Sequence, residues 1–115
     1  MNVEKASFEI ISHAGDSKSF YVLAMEYAKN GEFDLADEMI KKAKSELKKA
    51  HVIQYELIQE EARGNHIETN VLLVHAQDHL SMAIFMENYV DQIINLYKEI
   101  SIMKGRYQHE NFVSM

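Results

Sequence analysis

The chain has 115 residues, of which 47% are apolar and 26% charged, and a formal charge of −6. That length suits one domain rather than two, and the acidic balance argues against nucleic-acid binding, since a phosphate backbone needs a basic footprint. There is no cysteine, hence no disulfide framework or thiol chemistry. With no proline and only four glycines, a few long helices are favoured over a sheet with many turns.

The N-terminus lacks a basic segment followed by an apolar run, so no signal peptide is expected. No window approaches the length of uncharged apolar chain that spans a bilayer, so a cytoplasmic chain without membrane insertion is expected. Asn30-Gly31 reads as a helix stop with Gly31 in the left-handed conformation. The run from Arg63 to Asn70 reads as a loop, with Thr69 or Asn70 as the next N-cap. Lys104-Gly105 reads as a final stop. These signals predict helices at about 3–29, 34–63 and 70–104, within a core domain of about 1–105, followed by a loose polar tail at about 106–115.

In the first helix, Phe20, Leu23, Ala24, Tyr27 and Ala28 form a stripe, and Ala6 and Ile10 suggest another upstream. Between them, Ala14-Gly15-Asp16-Ser17 reads as a patch of small residues in a continuous or mildly interrupted helix. The second helix has a heptad stripe of Ala36, Ile40, Ala43, Leu47, Ala50, Gln54 and Leu57, the pattern of nearly parallel helices packed along a seam. Its lysines, Lys41, Lys42, Lys44, Lys48 and Lys49, alternate with Glu38 and Glu46 and read as a solvated face. The third helix carries Leu72, His75, His79, Met82, Met86, Tyr89, Ile93, Leu96, Ile100 and Met103 at heptad spacing. Short connections between long helices imply an all-α, antiparallel up-down-up three-helix bundle with coiled-coil-like packing. A second stripe of Val71, Val74, Asp78, Ser81 and Phe85 makes the third helix apolar over more than one face, which points to a partner helix from another copy.

The third-helix stripe is apolar except where it holds His75 and His79, with Asp78 in the adjacent stripe. Residues three and four apart share a helix face, so these three side chains form one polar cluster. Gln77 lies about 200° around the helix from His75 and serves a different contact. Three readings of the cluster compete. It can be a structural hydrogen-bonded group within a core or interface. It can be a metal site, since His at i and i+4 can both bind zinc beside a carboxylate. It can hold a reactive histidine, because neutral imidazole is nucleophilic and its second nitrogen needs an orienting hydrogen bond. His51 and Gln54 share a face of the second helix and read equally as a polar step in the seam or as lining of the His75 pocket. His13, His66 and His109 read as incidental surface residues.

The segment Val74-His75-Ala76-Gln77-Asp78-His79-Leu80 resembles the phosphorylation-site segment of the enzyme IIA component of the lactose/cellobiose (N,N'-diacetylchitobiose) class of the bacterial phosphoenolpyruvate-dependent sugar phosphotransferase system. Ala14-Gly15-Asp16-Ser17-Lys18-Ser19 resembles that family's first-helix signature, and Ala28 to Ala36 its first interhelical turn. Ala50-His51-Val52-Ile53-Gln54 resembles its second-helix pattern, and Ile93-Ile94-Asn95-Leu96-Tyr97-Lys98 its last helix. In chain order these matches span nearly the whole domain. Ser81-Met82 departs from the family's pattern, and the segment beyond Gly105 has no family role.

The resemblance implies a homotrimeric phosphocarrier. Its His75 would accept a phosphoryl group from phospho-HPr and pass it to a cysteine of the cognate B component, enzyme IIB, during disaccharide uptake. His79 and Gln77 are implied as supporting residues. Asp78 would lie near the trimer axis, where a divalent metal ion such as Mg2+ could be shared by subunits; no nucleotide or organic cofactor is implied. The alternatives from other classes are a non-catalytic helical adaptor and a metal-binding bundle with a structural His/Asp cluster. The absence of a phosphate-cradling glycine loop suits a relay between proteins and counts against nucleotide hydrolysis.

Overall fold

The computed structural model describes the backbone of residues 1–114 and the side chains of residues 1–105. The chain forms three helices, α1 (Val3–Lys29), α2 (Phe33–Ala62) and α3 (Val71–Ser114). Each boundary has a local cause. Asn2 caps α1 by accepting a hydrogen bond from the Lys5 amide at 3.0 Å. At the end of α1, Gly31 takes φ +80°, and the amides of Gly31 and Glu32 turn back to the carbonyls of Ala28 and Tyr27 at 3.1 and 2.9 Å. Gly64, at φ +91°, closes α2 in the same way, with Asn65 N–H bonded to the Glu60 carbonyl at 3.0 Å. Both ends therefore use the left-handed glycine that satisfies otherwise orphaned carbonyls. Of the two candidate caps for α3, Asn70 serves, accepting from the Leu73 amide at 2.9 Å.

α3 does not stop at Gly105 but continues to Ser114. Gly105 lacks the positive φ of Gly31 and Gly64, and a glycine within a helix costs only about 1 kcal/mol relative to alanine. With no proline downstream, nothing in the covalent chain enforces an end. Among the described residues no helix is long and apolar enough to cross a membrane.

Cross-helix bonds give the directions of the bundle. Ser17 bonds to Ala43, and His13, earlier in α1, to Glu46, later in α2, so these helices are antiparallel. Lys18 meets His79 and Tyr21 meets Glu87, so α1 and α3 run parallel. The up-down-up expectation holds. α1 is continuous through Ala14-Gly15-Asp16-Ser17, and Ala14 and Ser17 are wholly buried. Its inner stripe is Ala6, Ile10, Ala14, Ser17, Tyr21, Ala24 and Ala28, whereas Leu23, expected in the core, is exposed. α2 buries the expected Ala36, Ile40, Ala43, Leu47, Ala50 and Leu57.

The stripe expected on α3 is corrected by one residue. The buried positions are Leu73, Ala76, Leu80, Ala83, Val90 and Ile94, while Met82, Tyr89 and Leu96 remain 48%, 48% and 59% exposed. Close approach of α1 admits only small side chains at Ala76 and Ala83, and a polar residue, Glu87, interrupts the inner stripe. Side-chain size therefore made the outer stripe look like the core. Val71, Val74 and Phe85 of the second stripe are exposed as well. α3 thus presents a broad apolar surface outward within a single chain.

His13, read from sequence as incidental, ties α1 to α2: its Nδ1 lies 2.7 Å from Glu46 Oε2, and Lys49 donates to Glu46 Oε1 at 3.0 Å. Hydrogen bonds from His13 and Lys49 hold the Glu46 carboxyl below its ordinary value of 4.5, against an opposing effect of burial. A carboxyl with a lowered folded pKa stabilises the protein above its unfolded pKa and loses that contribution as pH falls through the folded value. Glu46→Gln should therefore lower stability at neutral pH by about 1 kcal/mol, with the difference from wild type fading below pH 4.5 in urea titrations followed by circular dichroism. Leu47→Ala, at a position 1% exposed, should cost about 2–5 kcal/mol in the same measurement.

Candidate functional site

The first three turns of α3 bring two of the predicted site residues together. His75 and His79 lie one turn apart with their Nε2 atoms 3.1 Å from each other, and the rings meet edge to face with centroids 4.5 Å apart. His75 is exposed and His79 half-buried. The buried faces at Ala76 and Leu80 turn the pair to the edge of α3 nearest α1. Since His75 sits in the outer stripe, its ring keeps its contact with solvent.

A third group joins from α1. Lys18 Nζ lies 2.7 Å from His79 Nδ1, completing a chain from Lys18 through His79 to His75. A shallow groove beside it is lined by Gly15, Lys18, Ser19, Val22, His79 and Met86. Sequence reasoning quoted Lys18 within the Ala14–Ser19 stretch but assigned it no role. Its signal was spacing: it follows Ala14 by one turn, next to the buried Ser17, at the rim of the α1–α3 contact. Burial lowers the His79 pKa from its ordinary 6.5, the charges of Lys18 and His75 lower it further, and Asp78 opposes them.

Asp78 is exposed and makes no hydrogen bond to either ring among the described residues. Nor does any group of three His, Cys, Asp or Glu side chains among those residues have the arrangement to hold a metal ion. The reading of His75, Asp78 and His79 as a zinc site within one chain is therefore not supported. Gln77 faces the other way. Its Nε2 donates to Gln54 Oε1 of α2, beside a small cavity lined in part by Leu57, Ile67 and Leu73. Within one chain the fold thus separates Gln77 from the histidine pair and places Gln54 at the α2–α3 seam. His51 is exposed and forms no buried step in that seam.

A second polar pair lies deeper on the same side of the bundle. The wholly buried Tyr21 donates from its hydroxyl to Glu87 Oε2 at 3.2 Å, and burial, with the Glu87 charge, pushes its phenol well up. Tyr21 is thus a fixed donor that satisfies the acid interrupting the inner stripe of α3.

The fold and site define a parallel-and-antiparallel helical bundle that displays a lysine-anchored histidine pair and carries no phosphate loop. Residues 5–98 match the family described as "PTS system, Lactose/Cellobiose specific IIA subunit". The chain is 41% identical over 103 residues to the lichenan-specific phosphotransferase enzyme IIA component of Bacillus subtilis, covering 90% of this chain and 94% of that one. It is 40% identical over 101 residues to the lactose-specific EIIA component of Streptococcus mutans, covering 85% and 97%. The crystal structure of the cellobiose-specific enzyme IIA from Bacillus anthracis superposes with a TM-score of 0.86 at 42% identity, over 89% of this chain and 94% of that one. The protein belongs to the lactose/cellobiose-specific IIA family of the sugar phosphotransferase system, a family of phosphocarrier components.

The electrostatics of the pair can be checked by NMR titration. His79 should titrate below 6.5. Because the Lys18 charge lowers its pKa and the Asp78 charge raises it, Lys18→Met should move the midpoint up and Asp78→Asn should move it further down.

Proposed function

We propose that the protein accepts a phosphoryl group from phospho-HPr on His75 and passes it to a cysteine of the cognate enzyme IIB during disaccharide uptake in the cytoplasm. The observation that carries this reading is the exposure of His75 beside His79 in a chain of the IIA family. An exposed imidazole at a helix edge can be reached by two different proteins in turn, which a relay requires. His75 Nε2, the nitrogen facing His79, is the proposed nucleophile. Phosphorus forms a bond to it as the bond from phosphorus to the donor imidazole breaks. In the second half the bond to Nε2 breaks as one forms to the cysteine sulfur. The protein's contribution is positioning and electrostatics, because the transferring group carries its charge on its peripheral oxygens.

The broad apolar surface of α3 supports assembly as a homotrimer, with Asp78 on the surface that copies would share. Gln77, held by Gln54, would then support the site from its own seam or toward a neighbouring copy. The implied metal ion fits the donor chemistry only across copies. At this position one chain offers one exposed carboxylate, that of Asp78, and a hard divalent cation such as Mg2+ takes several oxygens. Three Asp78 carboxylates on an axis would supply them, and the ion would offset the mutual repulsion of the acids. No organic cofactor enters this scheme. The sugar itself would be chosen by the membrane component, so the lichenan and lactose named for the relatives do not select one for this chain.

Incubation with phosphoenolpyruvate, enzyme I and HPr should place one labile phosphate on the protein, and His75→Gln should remove all of it; equal uptake by that variant would refute the assignment. In sedimentation experiments a chelator should weaken the wild-type trimer. Asp78→Leu, which removes the repulsion together with the ligand, should give a trimer indifferent to chelation.

A further inference from the structure

The Lys18–His79–His75 chain contains more information than its distances. A lysine ammonium has only donors, so at 2.7 Å Lys18 must donate to His79 Nδ1, and Nδ1 must be the unprotonated nitrogen. A neutral imidazole with an unprotonated Nδ1 carries its hydrogen on Nε2. That Nε2 lies 3.1 Å from His75 Nε2, so its hydrogen points at the nitrogen proposed to take phosphate. His75 Nε2 must then be the acceptor of the pair, with its lone pair available.

We propose that Lys18 is a positioning residue that fixes the tautomer and ring orientation of His79, so that the His79 Nε2–H is aimed at the phosphoryl group on His75. This rests on the reading of His75 as the phosphate acceptor and extends it to a residue of another helix. Before transfer, the His79 N–H occupies the His75 lone pair and holds that ring in place. As the new bond from phosphorus to His75 Nε2 forms and the bond to the donor nitrogen breaks, the lone pair is consumed. The His79 N–H then turns to a phosphoryl oxygen a short distance away, where negative charge is concentrated. No proton need leave His79, so the same donor serves when the group departs. The charged groups around His79 are Lys18 from α1 and His75 and Asp78 from α3.

The arrangement explains why Lys18 lies where it does. Ser17, its neighbour, is anchored by a 2.8 Å hydrogen bond to the Ala43 carbonyl of α2, and Tyr21, nearly one turn on, is wholly buried. Lys18 therefore extends from a stretch of α1 held on both sides of it. A donor mounted on a rigid element orients a ring better than one on a loop. Water could also bond to Nδ1, but it could equally accept from it, and so would not select a tautomer.

The test is nitrogen-15 NMR of imidazole-labelled protein, at about pH 8 where ordinary imidazoles are neutral, together with rapid-quench phosphoryl transfer from phospho-HPr. In wild type, His79 should show a pyridine-like Nδ1 and a pyrrole-like Nε2. Lys18→Met should shift both toward the averaged values of mixed tautomers and slow transfer to His75 about tenfold, while Lys18→Arg, which retains a donor, should recover most of both. A pyrrole-like Nδ1 in wild type would overturn the proposal without recourse to any variant. So would a Lys18→Met protein with unchanged His79 resonances and an unchanged rate. If the spectra behave as expected but phosphate is found on a residue other than His75, the functional reading fails and the action of Lys18 on His79 stands.

Discussion

Ser17 is wholly buried where α1 meets α2, and its hydroxyl donates to the Ala43 carbonyl. Around it the facing stripes are dominated by alanine: Ala14, Ala24 and Ala28 on α1, and Ala36, Ala43 and Ala50 on α2. Small side chains let helix axes approach closely, and close approach excludes larger residues from the opposing positions. The same constraint reaches α3, which meets the bundle through Ala76 and Ala83. The inner stripe of α3 takes Ala76 and Ala83 together with Leu73, Leu80, Val90 and Ile94. Met82, Phe85, Tyr89 and Leu96 lie outside that stripe and are exposed.

The site follows from the same geometry. His75 and His79 flank the inner stripe of α3, with Ala76 between them turned into the core. Tight packing of α1 against α3 brings Lys18 within hydrogen-bond distance of His79. A looser interface would leave that lysine in solvent, where an exposed ammonium has little reason to choose one partner. The buried Tyr21–Glu87 bond, further along the same interface, fixes the register of α1 on α3. A shift of one helical turn between these helices would break both contacts, so rotation and sliding of α1 are restrained from two points.

The histidine relay proposed above would have to present its ring to successive partners yet hold it in one orientation. Here those demands fall on different residues. His75 is exposed and held only by its neighbour, His79 is half-buried and shielded, and Lys18 is carried by a helix whose inner face is packed on both others. Asp78 stands apart from this chain of contacts, on the apolar surface suited to another copy. In the proposed scheme Asp78 serves assembly and the two histidines serve chemistry, although they are neighbours in sequence.

Much of this was legible in the residues alone. Gly31 at its stop, the loop from Arg63, Asn70 as one of two candidate caps, the stripe of α2, the up-down-up order and the pairing of His75 with His79 all depend on local rules of backbone conformation and helical period. What the sequence could not supply was which of two adjacent apolar stripes of α3 faces inward, because size favours one and close packing the other. Equally hidden were Lys18 as the partner of His79, Gln54 as the partner of Gln77, and the bridge from His13 to Glu46, each joining residues on different helices. The one-dimensional pattern determines how far around its own helix a side chain lies. Only packing decides the rotation of one helix against the next, and that rotation places Lys18 at the histidine pair.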